Sequence, residues 1–129
     1  MEKVTFHEYS PLLYPRSIFI VIGADKASIL DHFNIVGSSD NLEFCITDIA
    51  YCHKVIEKEN GRHGVMCNFI DRRRMTIMTM VHEAVHMADY IYEEIGAIGQ
   101  NFTDHNEPYA YLVEWIVKCM DEVRTGKFK

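Results

Sequence analysis

The sequence predicts a single α+β domain with a small antiparallel sheet packed on two long helices. Three observations lead to this prediction. The chain has 129 residues, enough to bury one core but too few for two independent ones. Short β-branched and aromatic runs occupy the part before residue 71, and two long segments with helical spacing of apolar residues follow. Hydrophobic residues make up 48% and charged residues 25% of the chain, which is an ordinary globular balance.

The first part of the chain predicts an arm, a strand and a short helix. Residues 1–16 contain two prolines and are expected to form an irregular N-terminal arm. The run Ser17–Ile22 is β-branched and aromatic and ends at a glycine, which is typical of a buried strand. Residues 26–33 are expected to form a short helix with Asp25 as its cap. The polar stretch at residues 37–41 predicts a loop.

Two apolar segments at residues 46–56 and 65–70 flank a polar stretch that holds two glycines. This pattern predicts an antiparallel hairpin with a rather long turn at residues 57–64.

Two helices are predicted after the hairpin. The first is expected to start at Asp71 as N-cap and to end at Gly96, a fitting residue for a helix C-terminus. Its expected core face is Ile77, Val81, Ala84, Val85, Ala88, Ile91 and Ile95, with Met75, Met78 and Met80 as core or groove lining. The second is expected at residues 107–123, where a proline is tolerated in the first turn. Its expected face is Ala110, Val113, Ile116 or Val117, and Met120.

The segment His82-Glu83-Ala84-Val85-His86 carries the chemistry that the sequence suggests. Two histidines at i and i+4 lie one turn apart on one helix face, so both imidazoles can reach one ion. The glutamate beside the first histidine points about a quarter turn away, where it can take a proton from a zinc-activated water. The alternative interpretation is a pair of partly exposed helix histidines that bind no ligand.

A catalytic zinc normally takes a third protein ligand and leaves a fourth position open. Glu107, at the start of the second helix, is the preferred third ligand over Glu114, which is also placed to pair with Lys118. Asp104 and His105 are less favoured candidates. Asp89, one turn beyond His86, is predicted either to orient an imidazole or to be solvated. Tyr111 is a candidate donor to a developing oxyanion, as is Tyr109, although either is also expected as an aromatic packed between the helices.

The pair H-E-x-x-H and E-x-x-A resembles the gluzincin branch of the zincin metallopeptidases. The compact plan is also similar to small zincin-like proteins of phages and mobile elements, including the regulator-cleaving ImmA/IrrE group. The resemblance covers residues 65–123 and implies a zincin-like fold in which His82, His86 and Glu107 bind Zn²⁺ and Glu83 is the general base. It also implies an edge strand ahead of the motif helix, where a peptide adds as a further strand, and residues 65–70 suit that role.

The expected function is therefore zinc-dependent hydrolysis of a peptide bond in a peptide or protein substrate. The alternative is a non-catalytic, metal-stabilised binding or regulatory module on the same fold, which a fourth protein ligand such as His105 would favour. The pattern leaves the substrate, the oligomeric state and the choice between zinc and another divalent ion open.

Charge and cysteine usage narrow the class of protein further. A net charge of −6 gives no electrostatic reason to expect nucleic acid or an anionic membrane as a partner, and Arg72–Arg74 is expected to be a solvated face. The four cysteines form no C-x-x-C pair, no export signal is recognised, and no apolar run is long enough to span a membrane. A cytoplasmic protein with reduced thiols is expected.

Overall fold

A computed structural model describes residues 3–37, 49–97 and 106–127. The described residues form a sheet of five strands, three α-helices and one 3₁₀ turn, so the predicted α+β class is confirmed. The strands are β1 (Thr5–Tyr9), β2 (Ser17–Ile22), β3 (Phe33–Ile35), β4 (Ala50–Glu57) and β5 (His63–Phe69). The helices are α1 (Lys26–His32), α2 (Ile77–Ile95) and α3 (Glu107–Thr125), and the 3₁₀ turn is Arg72–Arg74.

The sheet is mixed rather than antiparallel, with the strand order β1-β2-β5-β4-β3. Strands β4 and β5 form the predicted antiparallel hairpin, but β5 also pairs with β2 in parallel. The prediction of a purely antiparallel sheet is thus wrong at this one pair. The arm predicted at residues 1–16 is partly wrong as well, because β1 pairs antiparallel with β2.

Both faces of β2 are buried, which explains why every residue of this strand after the first is apolar. Ile18 and Ile20 belong to the core under α2 and α3, whereas Phe19 and Val21 belong to a second core beneath α1. A strand covered on two faces has no polar side to alternate with, so it appears as a continuous apolar run. The predicted buried strand is confirmed, as is the Asp25 cap of α1, whose side chain accepts a hydrogen bond from the Ser28 amide.

Strand β5 lies in the middle of the sheet, so the prediction that residues 65–70 form an edge strand is wrong. Gly64 shows how closely β5 approaches β2: a Cβ atom at this position would lie 2.2 Å from the carbonyl oxygen of Ser17. The edge strands are β1 and β3, and β3 pairs only with the last three residues of β4, Val55 to Glu57. Among the described residues, no strand pairs with the outer edge of Ala50 to His53.

Helix α2 begins later than predicted. The Asp71 side chain accepts a hydrogen bond from the Arg74 amide and caps only the 3₁₀ turn, whereas Thr76 caps α2 by accepting one from the Thr79 amide. The helix ends as predicted, with Gly96 in the left-handed conformation at φ 72°.

The buried face of α2 is rotated from the predicted one. Ile77, Val81 and Val85 are exposed, and so is Met78, whereas the buried residues are Met80, Glu83, Ala84, Met87, Ala88 and Ile91. The sequence offered two neighbouring apolar stripes, and packing on β4 and β5 selected the one that contains methionines. In α3 the prediction holds for Ile116 and Met120, but Ala110 is exposed and Leu112, Cys119 and Val123 are buried instead.

Within the described residues, none of the helices combines the length and the apolar character that a membrane span requires. The cytoplasmic location stays a prediction. The predicted loop at residues 37–41 lies outside the described residues except for Gly37, as do residues 46–48 of the predicted hairpin.

Candidate metal centre

His82 and His86 meet on the outer surface of α2. Their Nε2 atoms lie 3.2 Å apart and their rings are inclined at 76°, and both side chains are exposed. The spacing of four residues places them one turn apart on the side of the helix that faces away from the sheet. The two Nε2 atoms therefore lie at hydrogen-bond distance from each other, and both could reach one ion.

Glu83 has a different environment from the histidines that flank it. One helical position rotates the side chain by about 100°, which carries Glu83 from the solvent face to the flank above β4 and leaves it only 5% exposed. A carboxylate oxygen of Glu83 and one ring nitrogen from each histidine all lie within 4.8 Å of one another. The structure thus brings three of the predicted site residues together.

The geometry of this cluster fits a zinc ion. In a tetrahedral site with zinc–nitrogen distances of about 2.0–2.1 Å, two nitrogen ligands lie about 3.3–3.4 Å apart. The observed Nε2–Nε2 distance of 3.2 Å is close to this value. Imidazole nitrogens also suit copper, iron and nickel, so an ion held here would be a transition metal rather than calcium or magnesium.

Glu107 and Tyr111 lie elsewhere in the structure. Both are exposed and line an apolar groove of about 640 Å³ between α3 and residues 10–14, together with Trp115. Residues two positions apart on a helix point in nearly opposite directions, and Tyr109 is the residue that reaches α2. Among the described residues, neither Glu107 nor Glu114 joins the cluster of His82, Glu83 and His86.

The other candidate ligands have separate positions. Asp104 and His105 lie outside the described residues. Glu114 is exposed, and the lysine that the sequence pairs with it, Lys118, lies 3.9 Å from Glu122 instead.

Asp89 links α2 to α3. Its carboxylate accepts a hydrogen bond from the Tyr109 hydroxyl, which also donates to the carbonyl oxygen of Val85 at 3.3 Å. Burial raises the pKa of Tyr109, and the Asp89 hydrogen bond raises it further, so the phenol stays protonated as the donor. Tyr109 is the aromatic between the helices that the sequence allowed for, and Asp89 joins α2 to α3 through it.

Cys52 and Cys67 are neighbours of Glu83 that sequence reasoning missed. The Cys52 Sγ lies 3.7 Å from Glu83 Oε1 and 3.6 Å from the Glu83 carbonyl oxygen, and Cys67 lies directly opposite Cys52 in the sheet. Their separation of fifteen positions in the chain resembles no metal motif, and only the hairpin register brings them together. The one available signal was the expected pairing of residues 46–56 with residues 65–70.

Both thiols favour the protonated form. Burial raises the pKa of Cys67 well above its ordinary value, and the hydrogen bond that its thiol donates to Cys52 adds to the effect. The Cys67 hydrogen bond lowers the pKa of Cys52, but burial and the negative charge of Glu83 outweigh it, so this pKa is raised as well. The carboxylate of Glu83 therefore faces two neutral thiols on one side and two imidazoles on the other.

The comparisons with known proteins add no family to this description. No protein-family model matches the sequence, and neither a curated protein nor a solved structure matches the chain.

Proposed function

We propose that this protein is a zinc-dependent peptide hydrolase in which His82 and His86 hold the ion and Glu83 moves the proton. The observation that carries the proposal is the convergence of two imidazole nitrogens, 3.2 Å apart, beside a carboxylate that is 5% exposed. A buried carboxylate is costly unless a cation or strong donors accompany it. Among the described residues, the donor that reaches Glu83 is the Cys52 thiol, which is a weak one.

Zinc bound here would act as a Lewis acid that polarises a scissile carbonyl and lowers the pKa of water. Glu83 would accept the proton from the attacking water and later deliver it to the leaving amine. Its burial excludes bulk water from the carboxylate, and its place one residue after His82 fixes the carboxylate beside the imidazoles.

The first half of β4, Ala50 to His53, has no strand partner on its outer edge among the described residues, and this supports an extended peptide as the substrate. Backbone hydrogen bonds join Ile49 to Ile70 and Glu57 to Arg62. Because backbone groups point alternately towards β5 and away from it along β4, the N–H and C=O groups of Ala50 and Cys52 point away from β5. An extended chain could pair with these groups as an added strand. It would then run past Glu83, because Cys52 contacts Glu83 directly.

Glu107 stays the proposed third zinc ligand, and Asp89 and Glu114 are the other carboxylates to be tested for this role. Ligation by Glu107 would require the first turn of α3 to turn towards α2. Zinc titrations of the variants E107Q, D89N and E114Q would identify the ligand, because the variant that loses it should bind zinc at least about tenfold more weakly.

The proposal is tested with the variant E83Q. We expect E83Q to hold one zinc ion in elemental analysis and to lose cleavage of a mixture of unstructured peptides, measured by mass spectrometry. The variant H82A/H86A should lose cleavage. E59Q, which changes an exposed glutamate in the hairpin turn, is the matched control and should cleave like the unaltered protein.

Three outcomes would contradict the proposal. Cleavage by E83Q at the unaltered rate would remove the role of the carboxylate. Cleavage by H82A/H86A at the unaltered rate would remove the role of the histidine pair. Zinc binding that raises the melting temperature without any hydrolysis would favour the alternative, a metal-stabilised binding module.

A further inference from the structure

Cys52 and Cys67 form a close pair across the central hairpin. They are direct partners in the register of β4 and β5. The backbone hydrogen bonds at Ile49–Ile70 and at Glu57–Arg62 make this a non-hydrogen-bonded pair, the type in which Cα atoms are about 4.5 Å apart and side chains are closest. Both side chains therefore stand side by side on the sheet face beneath α2.

The carboxylate of Glu83 completes a set of three ligand atoms. The two sulfur atoms and one carboxylate oxygen all lie within 4.8 Å of one another. For a tetrahedral ion with metal–sulfur and metal–oxygen distances of about 2.3 Å and 2.0–2.2 Å, sulfur and oxygen ligands lie about 3.5–3.7 Å apart. The observed distance between Cys52 Sγ and Glu83 Oε1 is 3.7 Å.

We propose that Cys52, Cys67 and Glu83 form a second cation site that is distinct from the histidine pair and takes a thiophilic ion such as Zn²⁺ or Cd²⁺. Thiolate ligands favour such ions over calcium or magnesium. On binding, two S–H bonds give way to two metal–sulfur bonds and both protons pass to solvent. Three protein ligands leave one position for water, and Cys52, which is only partly covered, provides the access.

Glu83 belongs to both sites, which gives the second one a consequence for activity. An ion held by the thiols would occupy the carboxylate that the proposed hydrolysis uses as its base. Excess thiophilic metal should therefore inhibit the protein. This consequence rests on the proposed function, whereas binding at the cysteines does not.

Cadmium titration of the variant H82A/H86A tests the site without the histidines. We expect one equivalent of Cd²⁺ to bind, with ultraviolet absorption typical of thiolate-to-cadmium charge transfer. Adding C52S or C67S to this variant should weaken binding by about tenfold to hundredfold or more. Adding C119S is the matched control, because Cys119 is buried in α3 outside the cluster, and it should leave the absorption unchanged.

Protection from alkylation gives a second measurement on the unaltered cysteines, in case a serine variant does not fold. Cd²⁺ should slow the reaction of Cys52 with iodoacetamide, read by mass spectrometry of its peptide. Three results would overturn the proposal. H82A/H86A could show no charge-transfer absorption with Cd²⁺, or adding C119S could weaken cadmium binding as much as adding C52S or C67S does. The third result is a Cys52–Cys67 disulfide in the purified protein.

Inhibition is measured separately in protein with both histidines. Excess Zn²⁺ should inhibit peptide cleavage, and C52S should remove that inhibition. If the protein cleaves no peptide while cadmium still binds at the cysteines, the proposed hydrolysis fails and the second site stands. If the protein cleaves peptides but cadmium does not bind at the cysteines, the proposed hydrolysis stands and the second site fails.

Discussion

Adjacent residues of α2 have opposite environments because each helical position turns the side chain by about 100°. His82 and His86 are exposed, whereas Glu83 is buried and contacts β4. This difference suits a site in which an ion must be reached from solvent while the proton acceptor is shielded. At the residue scale, the proposed chemistry therefore depends on the angular positions of three side chains on one helix.

The hydrogen bond between Tyr109 and Asp89 is predicted to stabilise the contact of α3 with α2. The variant Y109F should lower the free energy of unfolding by about 1 kcal/mol, because it leaves the Asp89 carboxylate without this donor. Urea denaturation measures the change. Y111F is the control, since Tyr111 is 63% exposed, and it should leave stability unaltered.

A double-mutant cycle with D89N would isolate the pair, with an expected coupling of about 0.5–1.5 kcal/mol. Equal losses of stability in Y109F and Y111F would contradict the stabilising role of the hydrogen bond between Tyr109 and Asp89. If Tyr111 is the oxyanion donor that the sequence suggests, Y111F should instead slow cleavage at unchanged stability.

At the scale of elements, the segment from Asp71 to Ile77 decides how α2 enters the fold. The 3₁₀ turn between these residues carries Arg72, whose guanidinium donates to the carbonyl oxygens of Val123 and Arg124 at the end of α3. Arg72 is thus half-buried and satisfies the C-terminus of α3, where unpaired carbonyls need donors. The expectation of a wholly solvated basic cluster is wrong for this residue.

The capping assignment predicts a difference between two variants. T76A should lower the free energy of unfolding by about 1 kcal/mol, because it removes the side chain that accepts from the Thr79 amide at the start of α2. D71A should cost less than half of that, because Asp71 caps a single 3₁₀ turn. Chemical denaturation of both variants measures the order, and a larger loss in D71A would support a helix that starts at Asp71.

At the scale of the molecule, the two cores on opposite faces of the sheet bury several groups that hold their protons more tightly in the folded state. Burial raises the pKa of Cys119 to about 12 and that of Tyr9 to about 12, the nearby charge of Glu122 adding to each. A group with a raised folded-state pKa contributes stability below its unfolded pKa and loses that contribution as the pH rises.

The free energy of unfolding is therefore expected to fall from about pH 9, near the unfolded pKa of a thiol, towards pH 12. For Cys119, which is 3% exposed, the slope reaches at most about 1.4 kcal/mol per pH unit. Urea denaturation between about pH 7 and pH 11 measures the decline. C119A should make it shallower, and stability that is constant or rises over this range would contradict the prediction.

Part of the fold could be predicted because its signals are local. The cap of α1, the apolar run of β2, the β4–β5 hairpin and the glycine that ends α2 each depend on residues close in the chain. The convergence of His82, Glu83 and His86 is local too, since it follows from spacing along one helix.

Tertiary structure alone decided the rest. The parallel pairing of β2 with β5 joins residues more than forty positions apart, and it places β5 in the centre of the sheet. The same pairing across strands brings Cys52 and Cys67 together under Glu83. The rotation of α3 was also decided by packing, and it directs Tyr109 rather than Glu107 towards α2. Helical and strand periodicity fix which residues of one segment share a face, whereas the partner of that face depends on burial summed over the whole chain.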